Sequence, residues 1–441
     1  MLDALLDAVF RRQARRTMRL EGGEAVAHVP RTPVFLYLHV PFCEVLCPYC
    51  SFHRVRFEER KARRYFAALQ DEIRYYHERG FEFSGAYVGG GTPTVLPDEL
   101  AATLALVREL NPGLGDIAVE TNPQDLREDV LAMLQAAGVA RLSVGVQTFD
   151  DGLLREMERL EKYGSRAEIL DRLAVAAGRF ATLNVDMIWN LPHQTPQMLE
   201  ADLDTLIASP ANQVSWYPLM TSQGSARRMA HRMGLPGGSR RREHYHRILA
   251  RLRPEFTPTS AWCFTRGGRG IDEYVVEAPE YVGLGSGAFS YLNGTVYATT
   301  FSLHVYVERI ARGQTGVTGQ RQLRTRERLR YDLLMRLFSL RLDKEWVRAR
   351  YGPRFERILR PELLALELLG DVVEDARGWS LTESGMYRWV QMMSAFFESV
   401  NQFREQMRQQ IHAELDDPSL AEILVPLADI RHGPAGLKRL R

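Results

Sequence analysis

The stretch LYLHVPFCEVLCPYCSF, residues 36–52, contains three cysteines directly after an apolar run. Cys43, Cys47 and Cys50 follow the spacing C-x3-C-x2-C, and the other cysteine of the chain, Cys263, is more than 200 residues away. Three thiolates can bind three irons of a 4Fe-4S cluster and leave the fourth iron to a non-protein ligand, whereas closed cluster sites use four cysteines. A structural zinc site normally has four protein ligands. We therefore interpret the loop as an open 4Fe-4S site, with zinc or a disulfide as the alternatives.

The composition of the 441-residue chain is typical of a soluble globular enzyme. Hydrophobic residues make up 45%, charged residues 25%, and the net charge is +2, so we predict no nucleic-acid partner. No segment has the roughly 20 uninterrupted apolar residues of a membrane span, and the N-terminus lacks the apolar stretch of a signal peptide. We therefore predict a cytoplasmic protein whose cysteines stay reduced.

The first 20 residues, MLDALLDAVFRRQARRTMRL, are apolar at first and basic afterwards. This pattern predicts a capping helix with a solvated face. A peripheral contact with anionic lipid at the inner face of the membrane is the alternative. In that alternative the helix lies in the headgroup layer through Leu2, Leu5, Leu6, Val9 and Phe10, and the four arginines at 11, 12, 15 and 16 contact lipid phosphates.

Apolar strand patterns alternate with helical patterns over the first half of the chain, which indicates a parallel α/β arrangement. After the first strand, residues from about Tyr65 to Tyr76 show helical periodicity. Pro97 predicts the start of a second helix, because proline is common in the first turn of helices. Six strand–helix repeats favour a partial, open (β/α)6 barrel, with chemistry at the carboxyl ends of its strands. The predicted strands are residues 34–39, 86–88, 117–120, 142–146, 183–188 and 214–217.

The cysteine loop resembles that of the radical S-adenosylmethionine (SAM) enzymes, and in particular the oxygen-independent coproporphyrinogen III oxidase-like branch. Further segments resemble this branch in the order in which the family has them. They are GGGTPT at 89–94, ETNP at 120–123, RLSVGVQTF at 141–149, NVDMIWNLPHQT at 184–195 and VSWYPL at 214–219. The resemblance implies a radical SAM fold, a 4Fe-4S cluster, two SAM molecules, and a reduced flavodoxin or ferredoxin as electron donor.

The resemblance also implies site residues. The cluster ligands would be Cys43, Cys47 and Cys50, and the first SAM would contact Tyr37, Gly90 and Glu120. The second SAM would contact Tyr49, Gly91, Thr92, Gln147, Arg159 and Asp186. Glycines allow close backbone approach to a ligand, and Glu120 can accept from the SAM ammonium. Arg159 is placed only by its spacing after Gln147, so a surface helix arginine stays open as the alternative. No catalytic residue is assigned.

Residues 259–310 resemble the substrate-side segment of the class C methyltransferases of this branch, which implies a C-methyltransferase. In such an enzyme the 5′-deoxyadenosyl radical from the first SAM takes a hydrogen from the methyl group of the second, and the carbon radical adds to an sp2 carbon. The segment resembles menaquinone methyltransferases, so a planar, apolar naphthoquinone is the expected substrate. The glycines at 283, 285 and 287 can approach the second SAM or the substrate, or simply form a turn.

Two other functions stay open. One is oxidation of a porphyrinogen or opening of a haem ring, and the other is a haem chaperone that keeps the cluster without turnover. Against decarboxylation of a porphyrinogen, the segment ERLEKYG, residues 158–164, departs from the oxidase pattern, and His193 stands where related chains usually have glycine. Cys263 is interpreted as a small buried residue or as a substrate-side thiol. His53 either packs beside the cluster loop or carries a proton.

The predicted organisation has five parts. An N-terminal helical segment covers 1–30, the radical SAM core 31–220, and a barrel extension on the substrate side 221–320. A C-terminal, mostly helical domain covers 321–412 and resembles a winged helix, and 413–441 form a tail. In the C-terminal domain Met386, Trp389, Val390, Met393 and Phe397 recur at helical spacing. We interpret them as core rather than as a lipid-docking face.

Overall fold

The protein is described from a computed structural model, over residues 2–23, 26, 29–220, 223–235, 240–267 and 278–416. Parts of two predicted segments therefore lie outside the described residues, namely 268–277 of the substrate-side segment and 417–441 of the tail.

Seven parallel strands form the centre of the main sheet. They are β2 (Val34–Val40), β5 (Phe83–Gly90), β6 (Ile117–Thr121), β7 (Val139–Gln147), β8 (Thr182–Trp189), β9 (Gln213–Pro218) and β12 (Tyr281–Leu284). Their spatial order is β12-β2-β5-β6-β7-β8-β9, with every neighbouring pair parallel. The six predicted strands are confirmed, each slightly longer than its apolar pattern indicated. The seventh, β12, was not predicted; it pairs with β2 on the far side from β5.

Antiparallel strands extend both edges of this sheet. Beyond β12 come β13 (Phe289–Leu292), β14 (Thr295–Thr299), β15 (Val317–Gln322) and β1 (Glu21–Gly22). Beyond β9 come β11 (Cys263–Thr265) and β10 (Thr257–Pro258). The short strands β3 (Phe42–Cys43) and β4 (Val55–Arg56) pair with each other and frame the cysteine loop. The strands thus form an open, partial barrel with an antiparallel extension at each edge.

Helices cover the sheet and separate its strands. Those of the first half are Leu2–Thr17, Glu59–Glu78, Pro97–Leu110, Glu128–Ala136, Asp151–Glu156, Leu160–Tyr163, Arg166–Ala176 and Pro196–Ala208. Those of the second half are Gln223–Arg232, Arg241–Leu252, Leu303–Ala311, Thr325–Phe338, Lys344–Tyr351, Phe355–Leu368 and Glu383–Asp416. The predicted helical pattern from Tyr65 to Tyr76 lies within the helix Glu59–Glu78, and the helix start predicted at Pro97 is confirmed.

The helix Glu59–Glu78 fixes the antiparallel extension to the barrel through one buried carboxylate. Glu72 accepts hydrogen bonds from the amides of Gly285 at 3.0 Å and Gly316 at 2.8 Å, and from the Tyr306 hydroxyl at 2.7 Å. Burial raises the pKa of Glu72, and the three donors oppose that rise. The carboxylate therefore joins three segments that are distant in the sequence.

The C-terminal part contains a small antiparallel sheet between helices. Its strands are β16 (Arg341–Asp343), β17 (Val372–Glu374) and β18 (Gly378–Leu381), in the order β16-β18-β17. The elements follow one another as a helix, a strand, two helices and a two-stranded wing. This order is the arrangement of a winged helix. A helix then runs from Glu383 to Asp416, so 413–416 are helical where the sequence predicted a tail.

The first helix packs against this last helix instead of standing apart. Phe10 is buried, and its ring centroid lies 6.4 Å from that of Trp389. The four arginines at 11, 12, 15 and 16 are exposed. The side chains of residues 2–7 lie outside the described part, so membrane contact stays a prediction. Among the helices of the described ranges, none combines the length and the apolar character needed to cross a bilayer.

Candidate active site

One cavity opens at the carboxyl ends of the parallel strands, and every predicted site residue lines it. The three cysteines lie at one end, on the loop between β3 and β4. The other predicted lining residues are Tyr37, Tyr49, Gly90, Gly91, Thr92, Glu120, Gln147, Arg159 and Asp186. They come from seven separate segments, which the parallel strands bring to the same edge of the sheet.

Backbone hydrogen bonds hold the cysteine loop against the glycine-rich segment. The amides of Gly91 and Thr92 donate to the carbonyls of Val40 and Phe42, both at 2.7 Å. A Cβ atom on Gly91 would lie 2.5 Å from the carbonyl oxygen of Phe42, closer than real Cβ contacts allow. Glycine is therefore required at this position for the two segments to approach one another.

Hydrogen-bond donors surround the thiols. The Arg54 guanidinium donates to the carbonyl of Cys47, Arg159 Nη1 lies 3.6 Å from Cys47 Sγ, and the Thr92 hydroxyl lies 3.8 Å from Cys43 Sγ. Burial raises the pKa of the Cys43 thiol to about 12. A bound metal centre would favour ionisation of the Cys43 thiol, and the donors are placed to offset the negative charge of a thiolate-bound cluster. The donor set fits a 4Fe-4S cluster.

A site for a single metal ion would need a different arrangement of ligands from a 4Fe-4S cluster. Over the described ranges, no group of three or more His, Cys, Asp or Glu side chains gathers around one metal-sized point. That observation concerns a single ion, because a cluster gives each thiolate an iron of its own and spaces the thiolates more widely.

The hydrogen-bond direction of the Tyr37 hydroxyl, which is predicted to contact the first SAM, is defined by its neighbours. The hydroxyl is 2.9 Å from His39 Nδ1, and His39 Nε2 is 2.9 Å from the backbone carbonyl of His53. A carbonyl oxygen only accepts, so Nε2 carries the hydrogen and Nδ1 accepts from Tyr37. The hydroxyl hydrogen is thereby committed to His39, and the oxygen of Tyr37 can act as an acceptor in the cavity.

Glu120 lies across the cavity from Tyr37, at the end of β6. Its carboxylate accepts from the Tyr87 hydroxyl at 2.9 Å and from the amide of Gly90 at 3.0 Å. Gly90 has a φ of +120°, and a Cβ atom there would meet the His39 ring at 2.6 Å. Burial raises the pKa of Glu120, while the two donors favour its ionised form.

Asp186 lies in the second half of β8, among the residues predicted to contact the second SAM. It accepts from Ser143 Oγ and from Asn184 Nδ2, both at 2.8 Å. Burial raises the pKa of Asp186 to about 7, and the nearby positive charge of Arg141 opposes the rise. The carboxyl group therefore changes charge near neutral pH.

Arg141 lies in the barrel interior beneath both carboxylates. Its side chain is fully buried, and Nε donates to Gln213 Oε1 at 2.8 Å. Neither terminal nitrogen has a hydrogen-bond partner within the described part of the chain. The charge of Arg141 lowers the pKa of Glu120 and of Asp186 against the effect of burial. It therefore favours two ionised carboxylates on the cavity floor.

Arg159 is buried in the cavity wall, which excludes the alternative of a surface helix arginine. Its Nη2 donates to Asn122 Oδ1 at 3.0 Å and to the carbonyl of Gly145, and its guanidinium lies 4.1 Å from the Tyr163 ring centroid. Asn122 in turn donates to the hydroxyl of Thr92 at 2.8 Å. Asn122 was not among the predicted site residues, although it lies within the quoted ETNP segment.

Part of the cavity wall is aromatic. Tyr217 and Trp262 have ring centroids 5.2 Å apart, and Trp262 and Phe397 have centroids 5.8 Å apart. Phe397 therefore lines the site, a correction to its assignment as core, whereas Met386, Trp389, Val390 and Met393 are buried as predicted. The last helix also contributes Asn401 and Arg404, which the sequence analysis did not identify.

The remaining candidates have structural surroundings. Cys263 is fully buried with the Ser215 hydroxyl 3.8 Å from its sulfur, and it does not line the cavity, so the interpretation as a small buried residue is confirmed. His53 is buried, and its Nε2 lies 3.2 Å from Ser286 Oγ. Of the three glycines at 283, 285 and 287, Gly287 lines the cavity.

Comparison with known proteins agrees with this geometry. The sequence profile of the radical SAM superfamily matches residues 37–206, the range that contains the cysteine loop and the strand ends described above. The chain contains a radical SAM domain at these residues. Its relatives support the oxygen-independent coproporphyrinogen III oxidase-like branch.

Two relatives cover most of the chain. The "Heme chaperone HemW" of Bacillus subtilis is 27% identical over 373 residues, which are 82% of this chain and 98% of the relative. The "Oxygen-independent coproporphyrinogen III oxidase" of Bradyrhizobium diazoefficiens is 28% identical over 394 residues, 82% of this chain and 86% of the relative. The Escherichia coli oxidase is 37% identical over a shorter stretch of 185 residues, 40% of this chain and 39% of the relative.

The solved structure of the Escherichia coli oxidase HemN shares the fold. It superimposes with a TM-score of 0.72 at 23% identity, and the match covers 87% of this chain and 92% of that one. The radical SAM fold with a C-terminal helical region is thus confirmed. The names of these relatives describe a haem chaperone and an oxidase, so the closeness to menaquinone methyltransferases stays a prediction.

Proposed function

We propose that this chain is a radical SAM enzyme that binds two SAM molecules and modifies a planar, conjugated ring. One observation carries the proposal: the three cysteines, the carboxylates of Glu120 and Asp186 and a group of aromatic side chains all line one cavity. When bound and reduced, a 4Fe-4S cluster supplies the electron that cleaves SAM into methionine and a 5′-deoxyadenosyl radical.

The first SAM is held near the cysteines by acceptors. Its ammonium group would be bound by the carboxylate of Glu120 and the hydroxyl oxygen of Tyr37, which faces the cavity as an acceptor because its hydrogen is given to His39. Gly90 provides the close backbone approach, since it has no Cβ atom and its φ is positive. These groups orient SAM and do not transfer a proton.

The second SAM is held by a separate set of residues. The network of Arg159, Asn122 and Thr92 is fixed by hydrogen bonds before any ligand arrives and presents a buried cation beside the loop. Asp186 supplies an acceptor for hydroxyl or ammonium groups. The other proposed contacts of this molecule are Tyr49, Gly91 and Gln147, which line the same cavity.

The ring is proposed to be a tetrapyrrole, because the relatives that span this chain are described as a haem chaperone and a coproporphyrinogen III oxidase. The aromatic wall supports this assignment, since flat conjugated rings stack on aromatic side chains. The proposed reactions are oxidation of a porphyrinogen side chain or opening of a haem ring. A reduced flavodoxin or ferredoxin is the proposed electron donor.

A second candidate is methyl transfer to an apolar ring such as menaquinone. It is supported by the aromatic wall, in which Tyr217, Trp262, Phe289 and Phe397 offer an apolar surface to a planar ring. Two sequence features also support methyl transfer: residues 158–164 depart from the oxidase pattern, and residues 259–310 resemble the class C methyltransferases. The names of the relatives favour the tetrapyrrole instead.

The products of SAM distinguish these functions. Protein loaded with its cluster under anaerobic conditions is reduced, mixed with SAM and one ring compound, and analysed by mass spectrometry. Coproporphyrinogen III, haem and menaquinone are the compounds to compare. Oxidation or ring opening should give 5′-deoxyadenosine and an altered tetrapyrrole without S-adenosylhomocysteine. Methyl transfer should give both SAM products and a ring that is one methyl group heavier.

A chaperone would bind haem and leave SAM intact. The Cys50→Ala variant, which removes one cluster ligand, is the control for SAM cleavage by free reductant. If the wild-type protein binds haem and cleaves no SAM with any of the three rings, the enzymatic proposal is wrong and the chaperone function is supported.

A further inference from the structure

The side chain of Arg54 folds back onto the cysteine loop that it follows in the sequence. Arg54 directly precedes β4, is half-buried and lines the cavity. Its Nη2 donates to the backbone carbonyls of Cys47 and Cys50, the second at 2.9 Å. The amide of Cys50 also donates to the carbonyl of Cys47, at 3.3 Å. One guanidinium therefore closes the turn that carries two of the three predicted cluster ligands.

The backbone on the other side of Arg54 is anchored as well. The amide of Val55 donates to the carbonyl of Pro41 at 2.7 Å, and the amide of Phe57 donates to the carbonyl of Cys43 at 2.8 Å. The main chain of Arg54 is thus fixed by the strand that follows it, and the guanidinium is fixed by the carbonyls of the loop. A planar guanidinium restrained in this way keeps its charge at one place beside the thiols.

The cysteines are the groups whose charge acts on Arg54. Burial lowers the pKa of Arg54, but the negative charges of Cys50, Cys47 and Cys43 outweigh that effect, so the pKa is raised. Arg54 Nε is buried and has no hydrogen-bond partner within the described part of the chain. An unpartnered buried N–H costs free energy, and a cluster sulfide is an acceptor of the kind that removes this cost. The surroundings of Arg54 therefore fit an anionic cluster.

A cation at this place changes how readily a cluster is reduced. Reduction adds one negative charge to a 4Fe-4S cluster, and its potential depends on the charge and the hydrogen bonds around it. A nearby positive charge stabilises the reduced form and raises the potential. Arg159 also lies beside a thiol, but it donates to Asn122 and Gly145 as well, outside the loop. The two hydrogen bonds of Arg54 described above stay within the cysteine loop.

We propose that Arg54 is a positioning residue that raises the reduction potential of the cluster through the positive charge it holds against the cysteine loop. This inference rests on the proposed function, because it takes the loop to hold a 4Fe-4S cluster, and it names the residue that makes that cluster reducible by its electron donor. Arg54 contacts neither SAM nor the ring substrate in this account.

The test measures the reduction potential of the cluster without SAM, by a redox titration of the cluster-loaded full chain followed by electron paramagnetic resonance. Arg54→Gln removes the charge and keeps an N–H donor. It should lower the ratio of reduced to oxidised cluster at a fixed potential about tenfold, which is 59 mV for a one-electron couple. Arg54→Lys keeps the charge and should stay close to wild type. Arg56→Gln, at an exposed arginine of β4, makes the same change in net charge and is the matched control.

Equal potentials in Arg54→Gln and Arg56→Gln would overturn the inference. So would a potential in Arg54→Lys as low as in Arg54→Gln, which would assign Arg54 to the shape of the loop. An unchanged potential combined with weaker SAM binding in Arg54→Gln would assign the guanidinium to the carboxylate of SAM.

Iron content, measured for each variant, covers the case in which Arg54→Gln holds no cluster. Full iron and a wild-type potential in Arg54→Lys would then support the role of the charge, and a lowered potential or loss of iron in Arg54→Lys would overturn it. The proposed function fails separately, when the wild-type protein itself binds no cluster or cleaves no SAM.

Discussion

At the scale of single residues, the site depends on how burial and neighbouring charges set the state of a few groups. Glu120 and Asp186 are acids with raised pKa values on the floor of one cavity, and Arg141 beneath them opposes that rise. Tyr37 is directed by His39 so that its oxygen accepts. The ligand-binding capacity of the cavity therefore depends on residues that never touch a ligand.

Asp186 gives a prediction about pH. Burial raises its pKa to about 7, so the carboxylate that accepts from SAM forms as the pH rises through that value. Affinity for the second SAM should therefore increase across pH 7. Asp186→Asn should abolish this increase and weaken binding by roughly 1.5–3 kcal/mol, the range for a hydrogen bond to a charged group. Equilibrium dialysis with labelled SAM on both sides of pH 7 measures both effects.

The control for this prediction is Asp71→Asn, which changes an exposed carboxylate far from the cavity. Ionisation of Asp186 should favour SAM binding but oppose folding, so its effects on affinity and on stability have opposite signs. A raised native pKa means that the folded protein holds the proton longer, so the Asp186 charge opposes folding increasingly from its ordinary value of 3.8 up to about 7. A pH-independent second SAM affinity in the wild-type protein would contradict the account.

Sequence patterns predicted residues that the fold brings to one cavity, and the reason is local. Cys43, Gly90, Glu120 and Asp186 each lie on a buried strand, and parallel strands place their carboxyl ends together. Arg141 and Asn122 lie inside quoted motifs, but their roles depend on partners in other strands. A single-sequence pattern does not show those partners.

At the scale of elements, the connection between the barrel and its antiparallel extension depends on Glu72. Its carboxylate accepts three hydrogen bonds, from Gly285, Tyr306 and Gly316, all of which follow more than 200 residues later. Glu72→Ala should leave these buried donors unsatisfied. At roughly 1–3 kcal/mol for each buried group, we expect a loss of roughly 3–5 kcal/mol in the free energy of unfolding.

Urea unfolding of the cluster-free chain, followed by circular dichroism, measures that loss. Glu78→Ala, an exposed position on the same helix, is the control and should change stability by less than about 0.5 kcal/mol. Equal midpoints for the two variants would show that the carboxylate does not join the segments.

The elements that the sequence did not predict are those that long-range packing defines. Strand β12 has four residues, YVGL, and its identity comes from pairing with β2 rather than from its own pattern. Phe397 has the helical spacing of a core residue, yet Trp262 and the cavity place it in the site. The face of the last helix that carries Asn401 and Arg404 acquires its meaning only once that helix is packed against the barrel.

At the scale of the whole molecule, a barrel fragment and a C-terminal unit share one cavity. The strand ends provide the cysteines, glycines and carboxylates, and the last helix provides Phe397, Asn401 and Arg404. The residues proposed to bind SAM all lie within 37–206, the range that matches the superfamily. The part that would select the ring lies outside that range, which is why the superfamily alone does not define the substrate.

The central claim is that the three cysteines hold a cluster that cleaves SAM in this cavity. The most direct test measures iron content and 5′-deoxyadenosine release in reduced, reconstituted protein, with Cys50→Ala compared against Cys263→Ser. Cys263 is buried away from the cavity, so its variant is the matched control for loss of a thiol. The account predicts about four irons and SAM cleavage in wild-type protein and Cys263→Ser, with cleavage lost in Cys50→Ala. Undiminished cleavage by Cys50→Ala, or its loss in Cys263→Ser alone, would contradict the claim.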